Sequence, residues 1–78
     1  MGNRNPKDYL ITRHHIIPKS RGGSSRLENI AGVPDRDHRN YHNLFNNKTP
    51  EEIVDYLVND YWNGKWEYVE NAYNKRWQ

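Results

Sequence analysis

The chain has 78 residues, a net charge of +2 and only 14 Leu, Ile, Val and Phe residues, which leaves room for one small domain (1–78) with a thin aliphatic core. It has no cysteine, which excludes disulfides and thiolate zinc sites and leaves histidine-bound metal or self-association as support. The low net charge and ten aromatic residues favour a packed fold over disorder. There is no apolar run long enough to span a bilayer and no signal-peptide pattern. A soluble, cytoplasmic protein without a membrane partner is therefore expected.

In chain order, residues 1–8 are polar and read as a loose arm. Tyr9–Ile17 is rich in β-formers and reads as a strand. Pro18–Glu28 carries Pro, Ser and Gly22-Gly23, so it reads as a loop in which the glycines are available for positive φ. Asn29–Val33 reads as a second short strand, with Gly32 signalling a bulge or a close approach. Pro34 stops it and Asp35 is a candidate helix N-cap. His38, Tyr41, His42 and Phe45 then recur at i, i+3, i+4, i+7, one face of a helix that Asn46-Asn47-Lys48 ends. Thr49-Pro50-Glu51-Glu52 has the pattern of a capping box with Pro at the first helical position. Ile53, Tyr56, Leu57 and Tyr61 supply the stripe of that helix, and Asn63-Gly64 closes it. Trp66, Val69, Tyr73 and Trp77 outline a last helix. The class is α+β: a short β-hairpin with a long loop, then a helix, over residues 9–45, followed by two C-terminal helices over 49–77.

The four histidines form two pairs. Side chains alternate faces along a strand, so His14 and His15 point in roughly opposite directions and suit different tasks on either side of one reacting group. His38 and His42 share a helix face one turn apart, a spacing suited to one metal ion. A third ligand from a neighbouring strand would leave positions open for water and substrate. Imidazoles suit Zn, Ni, Mn or Fe better than Ca. Either pair alone is a weak signal, since polar residues often fall at these spacings. Both together, with the Gly-Gly loop and Asn29, are a much stronger one.

Charge is unevenly spread. Residues 1–42 hold eight bases against four acids, whereas residues 43–78 hold four against six. All four histidines lie in the basic half, which suits a polyanion partner. Arg13, Lys19, Arg21, Arg26 and Arg39 surround the histidines in sequence and are candidate phosphate contacts. Such contacts position a nucleic-acid backbone without reading its sequence. Seven of the ten aromatics fall in the C-terminal third. Two short helices cannot hide all of them, so part of the set, Trp62 or Trp77 included, is expected at the surface, as a homo-oligomer interface or a docking face for a larger complex.

The stretch RHHIIPKSRGGSSRLENIAGVPDRDHRNYH, Arg13 to His42, resembles the HNH endonuclease motif of the ββα-metal type, with a layout similar to the nuclease domains of DNase colicins. The HH pair, the P-x-S-x-G-G loop, the Glu-Asn-Ile before the helix and the H-x-x-x-H on it fall in the family's order. The resemblance implies that His14, His38 and His42 hold a divalent ion (Zn, Mg, Mn or Ni), that His15 is the general base, and that Asn29 pins the loop carrying it. It implies metal-assisted hydrolysis of DNA phosphodiesters to 3′-hydroxyl and 5′-phosphate ends. TPEEIVDYL bears a softer likeness to the helix that follows this motif in small phage proteins. Two alternatives stand beside this reading. One is a non-cleaving, metal-stabilised DNA-binding or assembly module. The other is a nuclease subunit of a phage-type packaging or processing complex.

Overall fold

The computed structural model describes residues 6–76, with side chains over 7–74. Strands β1 (Ile11–His15) and β2 (Ile30–Pro34) form an antiparallel hairpin that runs directly into helix α1 (Asp35–Phe45). Helix α2 (Pro50–Tyr56) continues into a π-helical turn at Leu57–Tyr61, and α3 (Trp66–Arg76) follows. The architecture is the expected α+β arrangement. Among the described residues no helix is long and apolar enough to cross a membrane.

The register pairs Ile11 with Pro34, Thr12 with Val33, Arg13 with Gly32, His14 with Ala31 and His15 with Ile30. Pairing is unbroken through Gly32, so the expected irregularity there is not a bulge. A Cβ at that position would lie 3.1 Å from Ile11 Cγ2, so the glycine serves a close approach. Strand alternation puts Thr12, His14, Ala31 and Val33 on one face, and α1 packs on it. The Ala31 methyl opposite His14 leaves room there for an imidazole.

Strand β1 is shorter than Tyr9–Ile17. At its start, Pro6–Tyr9 forms a 3₁₀ turn, and Asp8 pairs with Arg39 of α1. Residues 6–8, expected in the loose arm, are thus docked on the helix; the rest of that arm lies outside the described residues. At the other end Asn29 captures the chain. Its backbone carbonyl accepts from Ile16 N–H at 2.9 Å, and its side chain takes both polar groups of the Ile17 backbone. Ile17 cannot then pair across the sheet.

Asp35 is not the N-cap of α1. Pro34 occupies that position without a side-chain cap, Asp35 N–H donates to Leu10 O at 2.8 Å, and its carboxylate turns to Arg39 at 3.0 Å. The α2 start matches the sequence pattern: Glu52 N–H donates to Thr49 Oγ1 at 3.3 Å and Thr49 N–H to Glu52 Oε1 at 3.0 Å. Asn46 (φ 53°), Asn63 (φ 52°) and Gly64 (φ 71°) adopt positive φ where the helices end.

Aromatic packing supplements the thin aliphatic core, whose buried members include Ile53 and Val58. Edge-on rings run from His14 to Tyr41 (4.5 Å), Tyr41 to Phe45 (5.1 Å), Phe45 to Tyr56 (6.3 Å) and Tyr56 to Tyr61 (5.6 Å). Such pairs contribute about 0.5–1.5 kcal/mol each beyond area burial. The last pair is five residues apart, too far around an α-helix to meet. The wider π-helical turn, in which Trp62 N–H reaches back to Leu57 O, brings Tyr61 beneath Tyr56. Val58, fully buried, lies outside the expected stripe, because the reversal through Gly64, whose N–H bonds Val58 O at 2.8 Å, folds over it. Tyr61, Trp62, Trp66, Tyr68 and Tyr73 are exposed, Tyr56 is half-buried, and Trp77 lies outside the described residues.

Candidate metal centre and active site

Three of the four histidines converge. His14 from β1 and His38 and His42 from α1 each offer one ring nitrogen, and the three nitrogens lie within 4.8 Å of one another. Strand and helix contribute as their periodicities require: His14 lies on the face that α1 covers, and His38 and His42 are one turn apart on the covering face. The ring centroids are 5.1 Å (His14–His38), 4.7 Å (His38–His42) and 5.8 Å (His14–His42) apart. Burial is graded, with His14 buried, His38 half-buried and His42 exposed, so the cluster opens to solvent at His42.

Burial lowers the His14 pKa from its usual value, reinforced by charge repulsion from His38, His42 and His15. Burial also lowers that of His38, with repulsion from His42 and a weaker opposing pull from Asp35. Both shifts favour the neutral imidazole, the form that binds metal. His14 Nδ1 is buried without a hydrogen-bond partner among the described residues. Two further nitrogens, His38 Nε2 and His42 Nε2, face each other at 2.9 Å. Three imidazoles, with no carboxylate in the cluster, fit a divalent transition ion.

Around the cluster, Tyr41 packs edge-on against both His14 and His42, and burial raises its pKa. Thr12 Oγ1 lies 2.8 Å from His38 Nδ1. Thr12 went unnoticed in the sequence, although a signal was there: two residues before His14, it must share that residue's face.

His15 stands outside the cluster, at the end of β1, half-buried, with Nε2 3.2 Å from Ser25 Oγ. It remains close enough for its charge to act on His14 and His38. Ser25 is a second residue missed at the sequence level, and nothing in its spacing marked it.

Asn29 lies apart from the cluster. Its Oδ1 accepts from Ile17 N–H at 2.9 Å, and its Nδ2 donates to Ile17 O at 3.0 Å and Ser24 O at 2.8 Å. These bonds tie both ends of the loop that begins after His15. Gly22 has φ +91°, as its loop position suggested, but Gly23 is needed for space: a Cβ there would fall 1.7 Å from Ile17 O.

The five basic candidates divide. Arg13, Lys19 and Arg26 are exposed, with no ion pair among the described residues. Arg21 is held bidentately by Glu52 at 2.6 and 2.9 Å, and Arg39 is shared between Asp35 and Asp8.

No curated protein and no solved structure matches the chain significantly. The family model for HNH endonuclease matches residues 2–44, more than half of the chain, and this span contains all four histidines and Asn29. The hairpin-and-helix fold and the histidine cluster lie within the same stretch, and the chain belongs to the HNH endonuclease family.

Proposed function

We propose that the protein is a metal-dependent DNA endonuclease with little sequence preference. The observation that carries this reading is the division of labour among the histidines: three ring nitrogens converge within 4.8 Å, while His15, next in sequence to one of them, stands outside the group. A divalent ion on His14, His38 and His42 would supply Lewis-acid stabilisation of charge on the phosphate and the leaving oxygen. His15 serves as general base. A water oxygen bonds to phosphorus, its proton passes to His15, the P–O3′ bond breaks, and the 3′ oxygen takes a proton from solvent. A positioned base of this kind contributes roughly 10²–10⁴-fold. Asn29 acts as a positioning residue, because it clamps the backbone just beyond His15. Arg13, Lys19 and Arg26 contact phosphates. Arg21 and Arg39 add less, since acid partners already offset their charge.

A metal-dependent plasmid-nicking assay, with and without chelator, tests the reading. His15→Ala is expected to abolish most cleavage and leave metal and DNA affinity nearly intact, whereas His14→Ala weakens metal binding. The reverse pattern would exchange the two roles. Binding without cleavage in the metal-loaded wild type would favour the assembly-module reading instead. The proposal also includes docking of a second copy or of a larger DNA-processing complex on the aromatic C-terminal surface, where Trp62, Tyr68 and Tyr73 line a groove of ≈ 660 Å³. Light scattering over a concentration series, with Trp62→Ser, tests self-association there. A monomer at every concentration would remove it.

A further inference from the structure

We infer that Thr12 is a positioning residue that fixes the tautomer of His38 and so aims a lone pair into the histidine cluster. The argument counts protons. The Thr12 hydroxyl has one hydrogen, and Val33 O, 2.8 Å from Oγ1, can only accept it. Oγ1 therefore has no proton left for its second neighbour, His38 Nδ1, also at 2.8 Å. That contact is a hydrogen bond only if Nδ1 carries the proton and donates it. In the neutral ring the lone pair then belongs to Nε2, the nitrogen that faces His42.

His42 repeats the pattern more weakly. Its Nδ1 lies 3.4 Å from Asn46 O, again an obligate acceptor, at the positive-φ residue that ends α1. If both outer contacts are made, no proton lies between the two Nε2 atoms at 2.9 Å, and two lone pairs face each other. A divalent cation relieves that repulsion and leaves both outer bonds in place. The sheet thus helps prepare the site: Val33 O on β2 orients Thr12 on β1, and Thr12 orients a ring on α1. Groups that hold a ligating histidine in this way typically alter metal affinity 10–100-fold.

This inference rests on the reading of the cluster as a metal site, so its test separates the two. The ¹⁵N shifts of the His38 ring, recorded on metal-free protein at pH about 8, where imidazoles are neutral, identify the protonated nitrogen directly. The expected result is protonation at Nδ1 in the wild type and in Thr12→Ser, and a mixture of tautomers in Thr12→Val. Calorimetric titration with Zn²⁺ alone should show a loss of about 10–100-fold for Thr12→Val and near-wild-type affinity for Thr12→Ser. Protonation at Nε2 in the wild type overturns the inference even if no variant folds. So does a Thr12→Val protein that keeps both tautomer and affinity. A wild type with the Nδ1 tautomer and no Zn²⁺ binding would overturn the metal reading and Thr12's role in it, leaving only the tautomer assignment.

Discussion

Asn29 offers the sharpest test of how the loop is held. Its side chain makes three hydrogen bonds, at 2.9, 3.0 and 2.8 Å, from a position 8% exposed. At a net value of about 1 kcal/mol each, Asn29→Ala should cost roughly 3 kcal/mol, more if the abandoned groups stay dry. A 78-residue domain has only about 4–12 kcal/mol in total. The loss should lower the melting midpoint by roughly 12–24 °C. Asn29→Asp is more telling, because it preserves shape. One oxygen still accepts from Ile17 N–H, but the other replaces the donor Nδ2 and points at two carbonyl oxygens, Ile17 O and Ser24 O. The charged variant should therefore be at least as unstable as Asn29→Ala near neutral pH, and should recover part of the loss in acid, where a carboxylic O–H can donate to one carbonyl. Urea denaturation across pH measures this. In folded protein, Zn²⁺ affinity should stay within a few-fold of wild type, since Asn29 does not touch the cluster, while cleavage falls with the displacement of His15. An Asn29→Asp protein as stable as wild type at pH 7 would refute the clamp.

The two loop glycines should rank against their φ values. Gly22→Ala, with open space around its Cβ but φ +91°, should cost about 1 kcal/mol, whereas Gly23→Ala, aimed at Ile17 O, should cost about 3 kcal/mol or prevent folding by thermal melt. Glu52, held down to about 2 first by hydrogen bonds from Arg21 and then by Thr49 N–H, has a folded pKa below its ordinary 4.5. Its contribution to stability is thus present above about 4.5 and is lost as pH falls through about 2. Glu52→Gln, which keeps the capping acceptor, should flatten the acid limb of a stability-versus-pH curve over that window, and an unchanged limb would mean the Arg21 pair contributes nothing. DNA affinity should fall steeply with salt. Replacing Arg13, Lys19 or Arg26 with Gln should reduce the log–log slope by about 0.9 per lost phosphate contact, while Arg21→Gln should affect melting more than slope. Equal slopes in all four variants would move the DNA surface elsewhere.

Local rules made much of this protein legible in its sequence. Helical spacing placed His38, Tyr41, His42 and Phe45 on one face, and the Thr49-to-Glu52 pattern specified a capping box that forms in full. Both depend on contacts three or four residues apart, which the sequence displays directly. The histidine cluster was legible for a related reason, since period two and period 3.6 each bring one part of it to a common face. Whatever depended on partners distant in sequence was not legible. β1 ends at His15 because Asn29, fourteen residues on, takes the Ile17 backbone. Gly23 is required because the returning chain passes Ile17 O, which no turn propensity anticipates. The cations at positions 13, 19, 21, 26 and 39 look alike in sequence, yet only the folded chain brings Glu52 to Arg21 and Asp8 to Arg39, and so sorts the paired from the free. The tautomer of His38 lies furthest from the sequence. It follows from one hydroxyl group held between two strands and a helix, and its single proton can be assigned only once all three are in place.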